Sequence, residues 1–309
     1  MSVCTVSYNF PSGFLWGLYL PEDFVKDRGN IPLLYQLRES SIRSVSITLD
    51  WADFEPLKNN YEESLIESTR SLLSRIRTQN MESIVILNTA VVPQWQNLEH
   101  GNKKDYFIAE KFNFVTHLAN AFVPYTGYFG LCCSESAFTS DREMKAEIEN
   151  QNAIRKYIRS LSESKKVGMI LLSPSFGKNS GRIRGLFQSI RRNPLKDSEA
   201  DFLGISTDET AYAGIQNIFG EDRKPLLMLT DRLNLIPPQE RTNALVDKIY
   251  DLWQFYQKGW PVHGYFSDFD INGDPETMGF FAETIKENAL GLSSDDPRLS
   301  DKWIRFLKD

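Results

Sequence analysis

A chain of 309 residues, 41% hydrophobic and 25% charged, can bury one large core or two smaller ones and has the balance of a globular protein. Its 35 Lys and Arg against 41 Asp and Glu leave a formal net charge of -6, which gives no support to a nucleic-acid partner. No apolar run reaches about 18 residues, and Met1–Gly17 lacks a basic segment followed by an apolar core, so neither a membrane span nor a secretory signal is predicted.

In chain order, β-rich apolar runs alternate with helical patterns. The predicted strands are Phe14–Leu18, Ser44–Leu49, Ser83–Asn88, Gly127–Cys133, Val167–Leu172, Asp201–Ser206, Pro225–Thr230 and Val262–Ser267. Most are apolar on both parities, as a parallel strand must be when helices cover one face and a core fills the other. Between them, Tyr61–Thr78, Asp105–Phe122, Glu143–Leu161 and Arg241–Gln257 carry apolar residues at helical spacing, with Gly259 ending the last of these. Ser300–Leu307 reads as a short closing helix, whereas Asn179–Asp197 and Gly273–Pro297 read as irregular, as surface loops with short helical pieces. No repeat and no Pro/Gly-rich linker divides the chain. Eight strands with helical crossovers predict α/β architecture, a single (β/α)8 TIM barrel spanning 1–309 as one domain; a doubly wound open sheet is the rival.

In a barrel, chemistry sits at the C-terminal ends of the strands. The polar residues there are Asp50, Asn88, Thr89, Ser134, Glu135, Ser173, Thr207, Asp208, Asp231, Asp268 and Asp270. Glu135 and Asp231 stand out because each closes an apolar run, Tyr128–Cys133 and Leu226–Thr230. Two carboxyl groups facing each other across a pocket are the minimum equipment for cleaving a glycosidic bond. Strand ends also turn polar merely to satisfy backbone groups and begin loops.

Several motifs together resemble glycoside hydrolase family 1, the β-glucosidase and 6-phospho-β-glycosidase group. Phe10–Gly17, "FPSGFLWG", is similar to the family's opening "FPxxFxWG", and Val45–Pro56, "VSITLDWADFEP", to its second-strand "RFSISWSRIxP". Ile84–Pro93, "IVILNTAVVP", resembles "PxVTLxHWDLP", and Phe129–Ser136, "FGLCCSES", resembles "WxTxNEP". Asp201–Ser206, "DFLGIS", Lys224–Leu233, "KPLLMLTDRL", and Gly259–Asp270, "GWPVHGYFSDFD", are similar to "DFxGxN", "KPxYITENG" and "GxxvxGYFxWSLxDNFEW".

The resemblance implies retaining hydrolysis of a β-glycoside, with Glu135 as general acid then base and Asp231 as nucleophile. It also places Thr89, Ser134 and Asp270 where family members contact the sugar. From the residues themselves, Asp268 is a further substrate-binding candidate at a strand end, and Trp51 and Trp95, beyond the second and third strands, offer indole faces, with Trp95, after Pro93, the better platform. An aspartate in place of the family's nucleophilic glutamate retracts the carboxylate by roughly 1 Å, enough to cost on the order of 10²-fold in rate. Other family groups are replaced: the third-strand histidine by Thr89, the asparagine before the acid/base by Ser134, the tryptophan after "GYF" by Ser267, and the first-strand glutamine has no counterpart in the run after Gly17.

The remaining chemistry-bearing residues read as structural. Trp16 and His263 lie in apolar strand patterns and are predicted to be core, and His100 and His117 are peripheral. No His cluster has zinc-ligand spacing, so no metal and no cofactor is predicted. Cys4, Cys132 and Cys133, an odd count with two adjacent, do not form a disulfide framework; a reducing, cytoplasmic setting is the simpler reading. Arg182, Arg184, Arg191 and Arg192 read first as a solvated basic face, with attraction of a phosphorylated ligand or an acidic partner as the alternative, and Gly177–Gly181 lacks phosphate-loop spacing. Three functions fit: an altered glycoside hydrolase, a catalytically inactive barrel (pseudoenzyme) binding a carbohydrate or a protein partner, or a barrel enzyme of another class. No oligomeric state follows from the sequence.

Overall fold

The computed structural model describes residues 6–7, 10–11, 13–20, 23–26, 31–96, 104–132, 141–171, 198–206, 224–230, 233–268, 274–287 and 289–290. Eight strands run parallel and close on themselves: β2 (Leu15–Leu20), β3 (Ser44–Asp50), β4 (Glu82–Asn88), β5 (Tyr128–Cys132), β6 (Lys166–Leu171), β7 (Leu203–Ser206), β8 (Leu226–Thr230) and β9 (Val262–Ser267). The sheet closes where Leu15–Leu18 of β2 pair with Gly264–Ser267 of β9. The architecture is therefore the predicted (β/α)8 barrel, and closure excludes the doubly wound sheet. Two short antiparallel strands, β1 (Val6–Ser7) and β10 (Ala289–Leu290), pair outside the barrel.

Helices among the described residues include α1 (Asp23–Lys26), α2 (Ile31–Glu39), α3 (Trp51–Phe54), α4 (Glu63–Thr78), α5 (Lys104–Phe122), α6 (Asp141–Leu161), α7 (Pro238–Gln257) and α8 (Pro275–Glu287). Gly259, just beyond α7, takes φ 82°, a left-handed conformation that favours glycine over residues with a Cβ. Two sequence expectations need correcting. Part of the stretch read as irregular, Gly273–Pro297, forms α8, whose Met278 and Phe281 are buried. His263 is exposed rather than core: it lies near the start of β9, whereas Tyr265 and Ser267, further along on the same parity, are buried. The predicted helix Ser300–Leu307 and the stretch Asn179–Asp197 lie outside the described residues.

The two parities of each strand build two cores. One side packs beneath the helices: Val45, Ile47 and Leu49 of β3, Val85 and Leu87 of β4, and Met228 of β8 join buried residues such as Leu73, Phe114 and Ile249. The other side fills the barrel interior with Ile84, Ile86, Cys132, Ile170, Phe202, Leu227, Leu229 and Phe266. Large side chains fit there because small ones face them. At the closing seam a Cβ on Gly17 would lie 2.3 Å from the Phe266 ring and 2.7 Å from the Ser44 carbonyl.

At the N-terminal ends of β6 and β7 an ion network ties α6 to the barrel. Asp201 Oδ1 accepts from Arg155 at 3.0 Å and Arg159 at 2.6 Å, and its Oδ2 accepts from the Val167 amide at 2.8 Å. Burial alone would raise the Asp201 pKa, but these hydrogen bonds and the two guanidinium charges hold it below the ordinary value. Nearer the other end of α6, Lys111 and Glu147 form a buried ion pair between α5 and α6, and Gln151 donates to Glu147 at 2.9 Å.

Two predictions follow from this packing. Gly17→Ala should lower stability by about 1–3 kcal/mol in chemical denaturation, since one of the atoms it meets is backbone and cannot rotate away. Because the folded pKa of Asp201 is depressed, its stabilisation is present above its ordinary value of 3.8 and is lost as pH falls through the folded pKa. Asp201→Ala should remove that acid-side dependence from the thermal midpoint measured against pH.

Candidate active site at the barrel mouth

The C-terminal ends of β9, β2, β3 and β4 lie side by side and carry a continuous set of polar side chains: Asp268, Tyr19, Thr48, Asp50 and Asn88. Each is partly exposed, whereas the interior residues beneath them, including Ile84, Ile86 and Phe266, are fully buried. They form a polar floor over an apolar plug. Asp50 sits at the N-cap position of α3, yet its side chain does not cap that helix. Instead its Oδ1 accepts from Asn88 Nδ2 at 2.7 Å, while Asn88 Oδ1 accepts from the Ala90 amide at 3.1 Å. The two strand ends are thereby stapled and both side chains are held in place.

Tyr19 donates its hydroxyl to Thr48 Oγ1 at 2.9 Å. Burial pushes its pKa up to about 12; the Thr48 hydrogen bond works against this, and Cys132, Asp50 and Asp268 add to it. The phenol is therefore a neutral donor across the ordinary pH range. Asp268 Oδ1 also lies 3.4 Å from the Asn234 amide, at the short helical turn Leu233–Leu235 after β8. Burial likewise pushes the Cys132 thiol up to about 12, which makes it the inert filler that its sequence context predicts.

The predicted site residues fall into three groups. Glu135, Asp231, Ser134 and Asp270 lie outside the described residues. Asp268 is at the mouth as expected. Thr89 is buried, 1% exposed, with its hydroxyl 3.5 Å from the Cys132 carbonyl oxygen. The two tryptophans correct the expectation of open stacking platforms. Trp51 is 0% exposed and stacks on Phe114, ring centroids 5.4 Å apart. Trp95 is 7% exposed and packs edge-on against Trp51 at 6.1 Å. Both indoles are drawn inward by one residue that sequence reasoning did not single out. Glu55 Oε2 accepts from Trp51 Nε1 at 2.8 Å, its Oε1 from the Asn59 amide at 2.8 Å, and its backbone carbonyl from Trp95 Nε1 at 2.9 Å. Glu55 thus clamps the loops that follow β3 and β4. Tyr19 and Thr48 were also missed, although counting by twos back from Asp50 along β3 reaches Thr48.

Among the described residues no three His, Cys, Asp or Glu come together to hold a metal ion, and no helix is long and apolar enough to cross a membrane.

No protein-family model matches the sequence, and no curated protein does. Solved structures do match the fold. A β-glycosidase from Pyrococcus horikoshii superposes with a TM-score of 0.69 at 11% identity, over 97% of this chain and 98% of that one. A family 1 β-glucosidase from Thermotoga maritima gives 0.64 at 12% identity over 92% and 99%, and its complex with cyclophellitol gives 0.67. The fold is thus a (β/α)8 barrel like those of the family 1 glycosidases.

Burial raises the Glu55 pKa, the Trp51 and Asn59 hydrogen bonds oppose that, and Glu110 adds to it. Ionisation of Glu55 therefore works against folding: stability associated with it increases as pH falls through its folded pKa, the opposite sense to Asp201. Glu55→Ala should remove the carboxylate that accepts from the buried Trp51 indole N–H and cost about 1–3 kcal/mol, measured by thermal melting followed through tryptophan fluorescence.

Proposed function

We propose that the chain is a divergent glycoside-hydrolase-like barrel of the family 1 type that cleaves the O-glycosidic bond of a β-glycoside by double displacement. Glu135 is the acid/base and Asp231 the nucleophile. The observation that carries this reading is the near end-to-end superposition on β-glycosidases, 97% of this chain on 98% of the Pyrococcus horikoshii enzyme. Sequence position supports it. Glu135 follows the last residue of β5, Cys132, by three positions, and Asp231 directly follows the last residue of β8, Thr230. In this mechanism the two carboxyl groups stand about 5–5.5 Å apart, one protonated and one ionised at working pH. Glu135 protonates the leaving oxygen while Asp231 attacks the anomeric carbon; Glu135 then deprotonates the water that releases the sugar. The shorter side chain of Asp231 makes it a weakened nucleophile. The chemistry needs no cofactor, and a cytoplasmic setting is part of the proposal.

A second reading, a catalytically inactive barrel that binds a carbohydrate or a protein partner, is favoured by the loss of the family's sugar-gripping groups, such as the third-strand histidine replaced by Thr89, and its protein-binding form also by the buried aromatic residues. Trp51 and Trp95 are both buried and hydrogen-bonded to Glu55, so neither offers an open face to a sugar ring.

Turnover of 4-nitrophenyl β-glycosides decides between them. In the hydrolase reading wild type releases nitrophenol, Glu135→Gln lowers kcat/KM by about 10²-fold or more, and Asp231→Glu raises kcat by up to about 10²-fold by restoring the reach of the nucleophile. Absence of turnover from both wild type and Asp231→Glu would leave the binding reading in its place.

A further inference from the structure

The sugar-contacting residues that the family resemblance implies are largely replaced in this chain, but the mouth is not apolar. We propose that Asp50, Asn88 and Tyr19 grip the hydroxyl groups of a neutral, polyhydroxylated ring, so that sugar recognition has moved to the floor formed by β2, β3 and β4. The inference rests on the glycoside reading above for the class of ligand.

Three observations carry it. First, the inward row of β3 is polar from end to end: Ser44, Ser46, Thr48 and Asp50 occupy alternate positions, where barrel interiors take branched aliphatic side chains. Val45, Ile47 and Leu49 on the opposite parity belong to the outer core, so the polar residues are not there for want of apolar ones. Second, the row is polar even where polarity is costly. The Ser44 and Ser46 hydroxyls are fully buried and have no hydrogen-bond partner among the described residues. An unpaired buried hydroxyl costs roughly 1–3 kcal/mol, so hydrogen bonding among the described residues does not account for these two serines; their small volume suits the packed interior, and the polar row reaches the mouth only at Thr48 and Asp50. Third, the upper members are held in position. Asn88 anchors Asp50 at 2.7 Å, and Thr48 anchors the Tyr19 hydroxyl at 2.9 Å.

The chemistry of this set selects its ligand. A carboxylate beside a carboxamide offers acceptors and a donor to adjacent hydroxyl groups on one ring. Tyr19 is protonated at neutral pH and burial pushes its pKa further up, so its oxygen accepts a hydroxyl proton while its own proton goes to Thr48. The Asp50 and Asp268 carboxylates repel a phosphorylated sugar. Asp50, Asn88 and Tyr19 act here as specificity-determining residues, and Asn88 also positions Asp50.

The test reads binding separately from turnover. The probes are methyl β-D-glucopyranoside and methyl β-D-galactopyranoside, their monodeoxy derivatives and glucose 6-phosphate, titrated by NMR against wild type, Tyr19→Phe and Asp50→Ala. Asp50→Ala should weaken binding of the preferred glycoside by about 50-fold and Tyr19→Phe by about 5-fold, as expected for charged and neutral hydrogen bonds. A merely structural role would weaken all ligands alike. Direct contact instead makes each variant's loss vanish for the monodeoxy sugar that lacks the contacted hydroxyl. Should Asp50→Ala melt out, Asp50→Asn keeps the shape and replaces one acceptor by a donor; the same loss pattern is expected of it. Binding that the variants do not change, tighter binding of glucose 6-phosphate, or no glycoside binding by wild type would overturn the inference. Asp50-dependent binding without turnover upholds it while the hydrolase reading falls, and turnover indifferent to these variants does the reverse.

Discussion

Closure of the parallel sheet is the constraint on which the rest of this molecule depends. Once β2 pairs with β9, no strand edge remains and the interior has a fixed girth. Side chains pointing inward must share that volume, which is why Phe266 lies over Gly17 and Phe202 over Gly168. Closure also sends every inward-facing strand terminus to one of two ends. At one end Asp201 and its arginines lock α6 to the strand starts. At the other, Tyr19, Thr48, Asp50 and Asn88 are brought together from three strands that the sequence separates by dozens of residues.

The carboxylates illustrate how partner chemistry decides the sign of an electrostatic effect. Asp201 faces two guanidinium groups and is held ionised; Glu55 is buried with two neutral N–H donors and a carboxylate neighbour, and its ionised form is penalised. Glu55 is retained beneath two tryptophans at the mouth, where its hydrogen bonds set the path of the loops after β3 and β4. The Lys111–Glu147 pair is a third case, two opposite charges buried together between helices, where removing either would leave the other uncompensated.

Much of the barrel was legible in the sequence because a strand covered on both faces is largely apolar on both parities, as most of the eight runs are, and all eight became strands. Helices with long amphipathic stretches, such as α4 and α7, were equally legible. What escaped had a weaker local signal. α8 begins at Pro275 and follows a Gly/Asp/Pro run that reads as a loop; it is helical because Met278 and Phe281 find a core to enter. Trp51 and Trp95 sit at strand ends, where an indole can face solvent or fold inward. Only the meeting of α3 with the loop after β4, and the acceptors of Glu55 between them, turned both inward.

By itself, then, the sequence determined the order of strands and helices and the two-sided burial of the sheet, because hydrophobic periodicity is a local property read along one stretch of chain. Its resemblance to family 1 glycosidases likewise pointed to a fold that solved β-glycosidases share at 11% identity. The tertiary structure alone decided which parity of each strand entered the barrel, and with it that β3 turns Ser44, Ser46, Thr48 and Asp50 inward. That choice depends on sheet closure and register, which arise from pairings between distant segments and leave no mark in any single one of them.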